Sequence, residues 1–126
     1  GYSNNLRKEI TKMDKIYFWD LGIRNVLINN LSDISSRNDI GQLWENFLIN
    51  ERLKNKEYFS KYFSHYFWRV YTGSEIDYIE EYDGLLHAYE FKWGNKNAKI
   101  PKPFADSYPT ATFQVINKEN FLDFVL

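Results

Sequence analysis

The sequence predicts a single α/β domain in which helices flank a central mixed β-sheet. Three observations lead to this fold class. A helical stripe of apolar residues begins near residue 40, Asp83-Gly84 separates two strand-like runs, and the second run is apolar on both faces. Helices and strands that share one core pack as layers around a sheet. The order helix, three-strand meander, helix, strand and helix therefore predicts a layered α/β domain.

The composition limits the class of protein. The 126 residues are enough for one domain with its own core, and 19% of them are aromatic. Large rings bury much area per residue, so we expect the aromatic side chains to form most of the core. The formal net charge is −1, which gives no overall signature of a nucleic-acid binder. Any DNA contact would have to come from a local basic patch.

Other features bear on the setting of the chain. Cysteine is absent, which excludes disulfides and thiolate chemistry and fits a reducing, cytoplasmic compartment. No run of about 18 apolar residues is present, so we expect no membrane span. The chain begins at Gly1 without a signal-peptide pattern. We expect it to be a piece of a longer protein.

The first 38 residues mix several signals. Residues 2–14 combine charges with a few apolar positions, which predicts a short amphipathic helix or the end of a preceding element. Residues 15–19 (KIYFW) predict a strand. Asp20 can cap a helix through about residue 28 because its carboxylate accepts free backbone N–H groups. Residues 29–38 are polar and predict a loop.

The middle of the chain contains the strongest patterns. A helix is predicted from residue 39 or 41 to about residue 56, with an apolar stripe. Residues 65–71 (HYFWRVY) are aromatic and β-branched, which predicts a strand. Residues 75–81 and 85–93 form the two strand-like runs around Asp83-Gly84, which is a strong hairpin signal. The stripe of the helix consists of Leu43, Trp44, Phe47, Leu48 and Leu53.

The run 85–93 predicts a central strand covered on both sides, because apolar residues occupy both faces. One face becomes charged only near its end, at Glu90 and Lys92. After it we expect a basic loop over residues 94–103, a short helix that begins at Pro101 or Pro103, and a strand over residues 112–116. Residues 118–126 predict a closing helix.

The hairpin carries the residues best suited to chemistry. Glu90 and Lys92 are two apart on a strand and project side by side, and the hairpin can bring Asp77 across to them. Mg²⁺ takes one or two carboxylates plus water and phosphate oxygens, and the Phe91 carbonyl could add a further oxygen. Lys92 would orient the attacking water or stabilise the charged transition state. The alternative is a cross-strand salt bridge, worth about 0.2–1 kcal/mol, which the residues alone favour.

Two further sets of residues could support such a site. Glu45 lies beside the apolar stripe of the long helix, from which it could reach over the sheet edge, although a solvated ion pair explains it by spacing alone. Lys96, Lys99 and Lys102 continue from Lys92 with no acid between them. This row could hold a phosphate backbone, and a solubilising loop explains it equally well. The chain has no GxxxxGK[ST] loop, so it has no Walker-type ATP site.

The order of these residues resembles the PD-(D/E)XK nuclease superfamily. More narrowly, the chain is similar to the DUF4143 domain, which is found at the C-terminus of bacterial and archaeal AAA+-type ATPases. The resemblance is carried by KIYFWDLG (15–22), GQLWENF (41–47), SEIDYI (74–79) and YEFK (89–92). No proline precedes Asp77, which departs from the eponymous motif.

This resemblance implies a restriction-endonuclease-like core with the acids at one edge of the sheet. It assigns Asp77 and Glu90 to Mg²⁺ or Mn²⁺ binding, Lys92 to the position of the base or stabiliser, and Glu45 to the helix acid. We therefore expect a metal-dependent DNA nuclease-like domain that works with an ATPase domain of the same chain. With the resemblance, this interpretation is favoured over the salt bridge.

Two alternatives remain open from the sequence. The same fold could be a non-catalytic module that recognises DNA or a protein and regulates the ATPase. It could also be a structural domain that orients or oligomerises the ATPase, through an aromatic surface formed by Tyr58, Phe59, Tyr62 and Phe63. The oligomeric state stays open.

Overall fold

A computed structural model describes residues 10–12, 40–55, 64–94 and 96–126 of the chain. Within these ranges the chain forms five strands and three helices. The strands are β1 (Ile10–Lys12), β2 (Ser64–Arg69), β3 (Glu75–Tyr82), β4 (Leu85–Phe91) and β5 (Thr112–Ile116). The helices are α1 (Ile40–Asn55), α2 (Lys102–Ser107) and α3 (Phe121–Val125).

The strands form one sheet in the order β1-β2-β3-β4-β5. The pairs β1–β2, β2–β3 and β3–β4 are antiparallel. The Lys92 N–H donates to the Ile116 carbonyl, 2.9 Å away. This bond joins the C-terminal ends of β4 and β5, so these two strands run parallel and the sheet is mixed. The predicted α/β fold with a mixed sheet is confirmed, as is the interior position of β4.

A tight turn at Asp83 and Gly84 connects β3 to β4. Both residues have positive φ angles, 53° at Asp83 and 73° at Gly84. Two successive residues of this kind define a type I′ turn, whose twist matches that of the strands it joins. The hairpin predicted from Asp83-Gly84 is confirmed.

The crossover from β4 to β5 contains α2. Pro101 lies at the N-cap position of α2 and Pro103 follows in the first turn, where a missing N–H costs no helical hydrogen bond. The helix buries Phe104, whose ring meets the Trp68 ring edge to face at 5.4 Å between centroids. The predicted short helix at these prolines is confirmed.

The chain divides into two compact units. The first, called the sheet unit, contains β1 to β3, β4 as far as Glu90, α2, and β5 as far as Val115. The second, called the helix unit, contains α1, the residues from Phe91 to Lys96, and the residues from Ile116 onward. The prediction of a single domain over residues 1–126 stays a prediction.

The core of the sheet unit lies on the face of the sheet that α2 covers. Seven buried side chains form it: Trp68, Ile76, Ile79, Leu86, Ala88, Phe104 and Tyr108. Two of these rings, Phe104 and Tyr108, come from α2 and the residue that follows it. Their burial ties the crossover to the strands, because each large apolar side chain removed from water contributes about 1.5–3 kcal/mol.

The helix unit has an aromatic core centred on Trp44 of α1. The Trp44 ring lies 5.3 Å from Trp93, 5.2 Å from Phe121 and 5.7 Å from Phe47, measured between centroids. Arg52 donates to the Phe124 carbonyl at 2.7 Å and lies over the Phe124 ring at 4.3 Å. These contacts pack α1 against α3.

Three boundaries differ from the sequence prediction. The helix predicted over residues 2–14 is wrong at Ile10–Lys12, because these residues form a strand that pairs with β2. Ile10 and Thr11 are β-branched and favour extended backbone. The closing helix begins at Phe121 instead of residue 118, because Asn117 and Asn120 form a side-chain hydrogen-bonded turn first. β4 ends at Phe91 and not at residue 93.

Other predictions agree with the structure or lie outside it. The predicted helix near residues 39–56 and the predicted strands at 65–71, 75–81 and 112–116 are confirmed with small shifts. The strand at 15–19, the helix at 20–28, the loop at 29–38 and the aromatic surface at residues 58–63 lie outside the described residues. None of the described helices has the length and hydropathy needed to cross a membrane.

Gly84→Ala should lower the free energy of unfolding by about 1–2 kcal/mol, because alanine is strained at left-handed φ. No atom lies within 4 Å of the added Cβ, so the cost is conformational. Gly41→Ala, in α1 and with equally open space, is the matched control and should raise stability by about 0.4–1 kcal/mol. Urea unfolding of both variants measures the difference. A Gly84→Ala protein as stable as the wild type would contradict the type I′ turn.

Candidate metal centre

Strand register brings Asp77 and Glu90 together. In the β3–β4 hairpin Tyr78 lies opposite Tyr89 and Ile79 lies opposite Ala88. The same register, extended by one pair, sets Asp77 opposite Glu90. Directly opposed residues of antiparallel strands have Cα atoms about 4.5–5.5 Å apart. Two carboxylates are therefore held on neighbouring strands within the sheet unit.

The backbone is irregular at Asp77. Between β2 and β3, Tyr66 pairs with Ile79 but Trp68 pairs with Ile76. One residue of β2 thus faces two residues of β3, Asp77 and Tyr78, which is a β-bulge. A bulge redirects side chains and increases the local twist, and such bulges are frequent beside active sites. The carboxylate of Asp77 is presented by this bulge and not by a regular strand.

Glu90 lies where β4 leaves its buried stretch. Leu86 and Ala88 are buried in the core of the sheet unit, while Glu90, two residues further on, is half-buried. Alternation along a strand places residues two apart on one side. The predicted change from apolar to charged residues along one face of this strand is confirmed.

Lys92 is fixed through its neighbours in the helix unit. Lys92 is the first residue after β4 and is half-buried. Its backbone N–H donates to the Ile116 carbonyl. The preceding Phe91 ring contacts Phe124 at 5.6 Å, and the following Trp93 ring contacts Trp44 at 5.3 Å. The backbone at Lys92 is therefore anchored from both sides.

Glu45 is a half-buried residue of α1 and directly follows Trp44. Because Trp44 contacts Trp93, the segments that carry Glu45 and Lys92 meet within the helix unit. The predicted set thus occurs as two pairs: Asp77 with Glu90 in the sheet unit, and Glu45 with Lys92 on contacting segments of the helix unit. Convergence of all four side chains stays a prediction.

The row of lysines has mixed surroundings. Lys96, Lys99 and Lys102 are all exposed. Lys102 forms an ion pair with Asp106 one turn later in α2, with 3.2 Å between Nζ and Oδ2. A neighbouring carboxylate offsets part of its positive charge, so Lys102 is the least suited of the three to hold a phosphate.

The sequence interpretation missed a buried polar network beside the carboxylate pair. The Tyr78 hydroxyl donates to Glu80 Oε2 at 2.8 Å and lies 3.1 Å from His65 Nδ1. Neither His65 nor Glu80 is a candidate on the sequence pattern, which predicts only that residues 65–71 and 75–81 are strands. The available signal was a glutamate between two tyrosines, Tyr78 and Tyr82, at alternate positions of β3, since buried acids require partners.

His87 takes part in a separate contact. Its ring stacks on Tyr82 with centroids 4.0 Å apart, and its Nδ1 lies 2.9 Å from the Thr112 hydroxyl. His87 and Glu90 are three residues apart on β4 and therefore lie on opposite faces of the strand. His87 joins the hairpin to β5 and has no part in the candidate centre.

Comparison with protein families identifies the chain. The model of DUF4143, described as a domain of unknown function, matches residues 40–124. The chain therefore belongs to the DUF4143 family. The match contains the segments around Glu45, Asp77 and Glu90-x-Lys92, while the similarity noted at residues 15–22 lies outside it. No curated protein and no solved structure matches the chain significantly.

The carboxylate pair suits the donor set of a hard cation. Among the residues that the structure describes, no three His, Cys, Asp or Glu side chains form a group able to hold a metal ion. A centre at Asp77 and Glu90 would thus have two protein carboxylates. Mg²⁺ commonly binds through one or two carboxylates and completes its shell with water and phosphate oxygens. The residues present fit this mode.

If Asp77 and Glu90 bind the metal, Mn²⁺ should stabilise the folded protein. At a concentration 100 times Kd the free energy of unfolding should rise by about 2.7 kcal/mol. Asp77→Asn should lose this effect because it removes one of the two carboxylates. Asp106→Asn is the matched control, since Asp106 is an exposed acid paired with Lys102 in the same unit.

Chemical denaturation with and without MnCl₂ measures the shift for wild type and both variants. The control should respond as the wild type does. An Asp77→Asn protein that is stabilised as strongly as the control would exclude Asp77 as a ligand.

Proposed function

We propose that this domain is a Mg²⁺- or Mn²⁺-dependent nuclease-like domain that hydrolyses phosphodiester bonds in DNA. In this proposal it has a restriction-endonuclease-like core and works in the cytoplasm with an AAA+-type ATPase domain of the same longer chain. The observation that carries the proposal is the β3–β4 register, which ends at Tyr78 opposite Tyr89 and, extended by one pair, sets Asp77 opposite Glu90. The resemblance of the ordered acids and lysine to PD-(D/E)XK nucleases supports it.

Each residue has a distinct role in the proposed reaction. Asp77 and Glu90 would hold the metal, which when bound lowers the pKa of a water ligand and neutralises charge on phosphate oxygens. Lys92 would orient the attacking water or stabilise negative charge in the transition state. Its fixed backbone between Phe91 and Trp93 suits this task, because a positioned charge needs no reorganisation during the reaction. Glu45 would be the acidic residue that PD-(D/E)XK nucleases carry on an early helix.

Cleavage of plasmid and branched DNA in the presence of Mn²⁺ tests the activity. Asp77→Ala and Lys92→Ala should each lower the rate by at least about 10²-fold, the loss typical when one stabilising group is removed from a transition state. Lys54→Ala is the control, because Lys54 is a lysine of α1 whose partner is Glu51, 3.5 Å away. It should cleave at the wild-type rate.

Two outcomes of this assay would count against the assignment. Cleavage unchanged in both Asp77→Ala and Lys92→Ala would place the active residues elsewhere. Loss of cleavage in Lys54→Ala to the same extent would indicate a general effect of removing positive charge.

Binding of duplex DNA should depend on salt through the lysines. In a Glu90→Gln background, replacing Lys96, Lys99 and Lys102 by glutamine should reduce the slope of log K against log[salt]. Each lost phosphate contact accounts for about 0.9 of that slope. Lys102→Gln alone should have the smallest effect because Asp106 already pairs with it. Fluorescence anisotropy at several salt concentrations gives the slopes, and an unchanged slope in the triple variant would exclude the row as a DNA contact.

The second candidate is a non-catalytic module that binds DNA or a protein and regulates the ATPase. Exposed apolar side chains favour it, namely Tyr71 in the β2–β3 turn and Leu122 and Leu126 at α3. Such side chains suit a protein contact better than a DNA contact. Calorimetry separates the candidates: a nuclease centre binds Mn²⁺ and Glu90→Gln weakens that binding, whereas the module requires no metal.

A further inference from the structure

His65, Tyr78 and Glu80 form a polar network inside the sheet unit. The Tyr78 hydroxyl has one hydrogen, which it donates to Glu80 Oε2 at 2.8 Å. His65 Nδ1, 3.1 Å from the same hydroxyl, must therefore be the donor in the second bond. Tyr78 and Glu80 are 0% and 1% exposed, and His65 lies opposite Glu80 in the register. The three side chains thus link β2 to β3.

The buried carboxylate of Glu80 lowers the stability of the folded protein relative to an apolar side chain at the same position. Removing an acid from water is strongly unfavourable, and hydrogen bonds recover only part of that free energy. An apolar side chain would fill the interior of β3 at lower cost. A buried acid of this kind is therefore a candidate for a role other than stability, and its neighbours in the strand indicate which role.

The network ends beside the candidate metal centre. Tyr78 is one of the two β3 residues in the bulge, and Asp77 is the other. Tyr78 also lies opposite Tyr89 in the β3–β4 register, next to the position of Asp77 and Glu90. The centroids of the two tyrosine rings are 5.9 Å apart. The side chain of Tyr78 is held by Glu80, His65 and Tyr89. Fixing Tyr78 in this way also fixes the adjoining peptide of Asp77.

We propose that His65, Tyr78 and Glu80 are positioning residues, which hold the β3 bulge so that Asp77 meets Glu90 in a geometry suited to a divalent cation. The inference rests on the proposed function, because it assigns the network to that metal pair. In this proposal the three side chains contact neither metal nor DNA and act through the backbone of Asp77. Groups that orient metal ligands from outside the coordination shell affect metal affinity strongly.

Tyr78→Phe tests this role, because it keeps the ring and removes only the hydroxyl. Tyr66→Phe is the matched control: the Tyr66 hydroxyl donates to Glu81 at 3.2 Å, which is a bond of the same chemistry between β2 and β3 that does not involve Tyr78. Isothermal titration with MnCl₂ should show affinity reduced about tenfold or more in Tyr78→Phe. Tyr66→Phe should bind as the wild type does.

Three outcomes of the titration are decisive. Wild-type affinity in Tyr78→Phe, together with lost binding in Asp77→Asn, would overturn the positioning role and leave the proposed function intact. Equal losses in Tyr78→Phe and Tyr66→Phe would show a general effect on the sheet and would also overturn it. A wild-type protein that binds no Mn²⁺ would overturn the proposed function and this inference together.

Hydrogen exchange gives a readout without metal. The backbone amides of Asp77 and Ile79 should exchange faster in Tyr78→Phe than in Tyr66→Phe, because only the first variant loosens the bulge. Should Tyr78→Phe not fold, His65→Gln removes the imidazole that bonds to and packs against Tyr78 and should weaken Mn²⁺ binding in the same direction. Unchanged exchange in the folded variant, or unchanged affinity in His65→Gln, would contradict the inference.

Discussion

The pairing of β3 with β4 is the constraint on which the candidate centre depends. The turn at Asp83 and Gly84 requires positive φ at both residues, and this geometry fixes which residues lie opposite each other. A shift of one residue would turn every side chain of a strand to the other face. The opposition of Asp77 and Glu90 is therefore set by a turn at the other end of the hairpin.

The buried face of the sheet gives this hairpin its rigidity. Ile79 and Ala88 form a cross-strand pair inside the core, and Phe104 of α2 closes over the same face against Trp68. Sites built on packed strands hold their geometry better than sites on loops. The core therefore positions the carboxylates as well as stabilising the sheet unit.

The helix unit anchors its two candidate residues in a comparable way. Trp44 packs on Trp93, and these aromatic residues directly neighbour Glu45 and Lys92 in the chain. Lys118 lies over the Trp93 ring, 4.9 Å from its centroid, a cation–π contact that further fixes the ring. In both units, aromatic residues thus directly neighbour the candidate polar residues in the chain: Trp44 precedes Glu45, and Phe91 and Trp93 flank Lys92.

Much of the fold and part of the candidate site could be predicted from the sequence. The stripe of α1, the Asp83-Gly84 turn and the prolines before α2 are local signals, because turn geometry and helix periodicity depend on nearby residues. These signals were sufficient to predict the β3–β4 hairpin that carries Asp77 and Glu90. Membership of the DUF4143 family is likewise indicated by short motifs of the sequence.

The remaining features depend on contacts between residues far apart in the chain. Ile10–Lys12 form a strand by pairing with β2, which lies more than 50 residues further along the chain. The bulge at Asp77 and Tyr78 arises from the register with β2. The contact of Tyr78 with His65 needs the same pairing, because His65 belongs to β2. The sequence by itself determined which residues are candidates for the chemistry and how the hairpin turns, whereas tertiary structure alone decided how Asp77 is held, because long-range pairing and burial set its backbone.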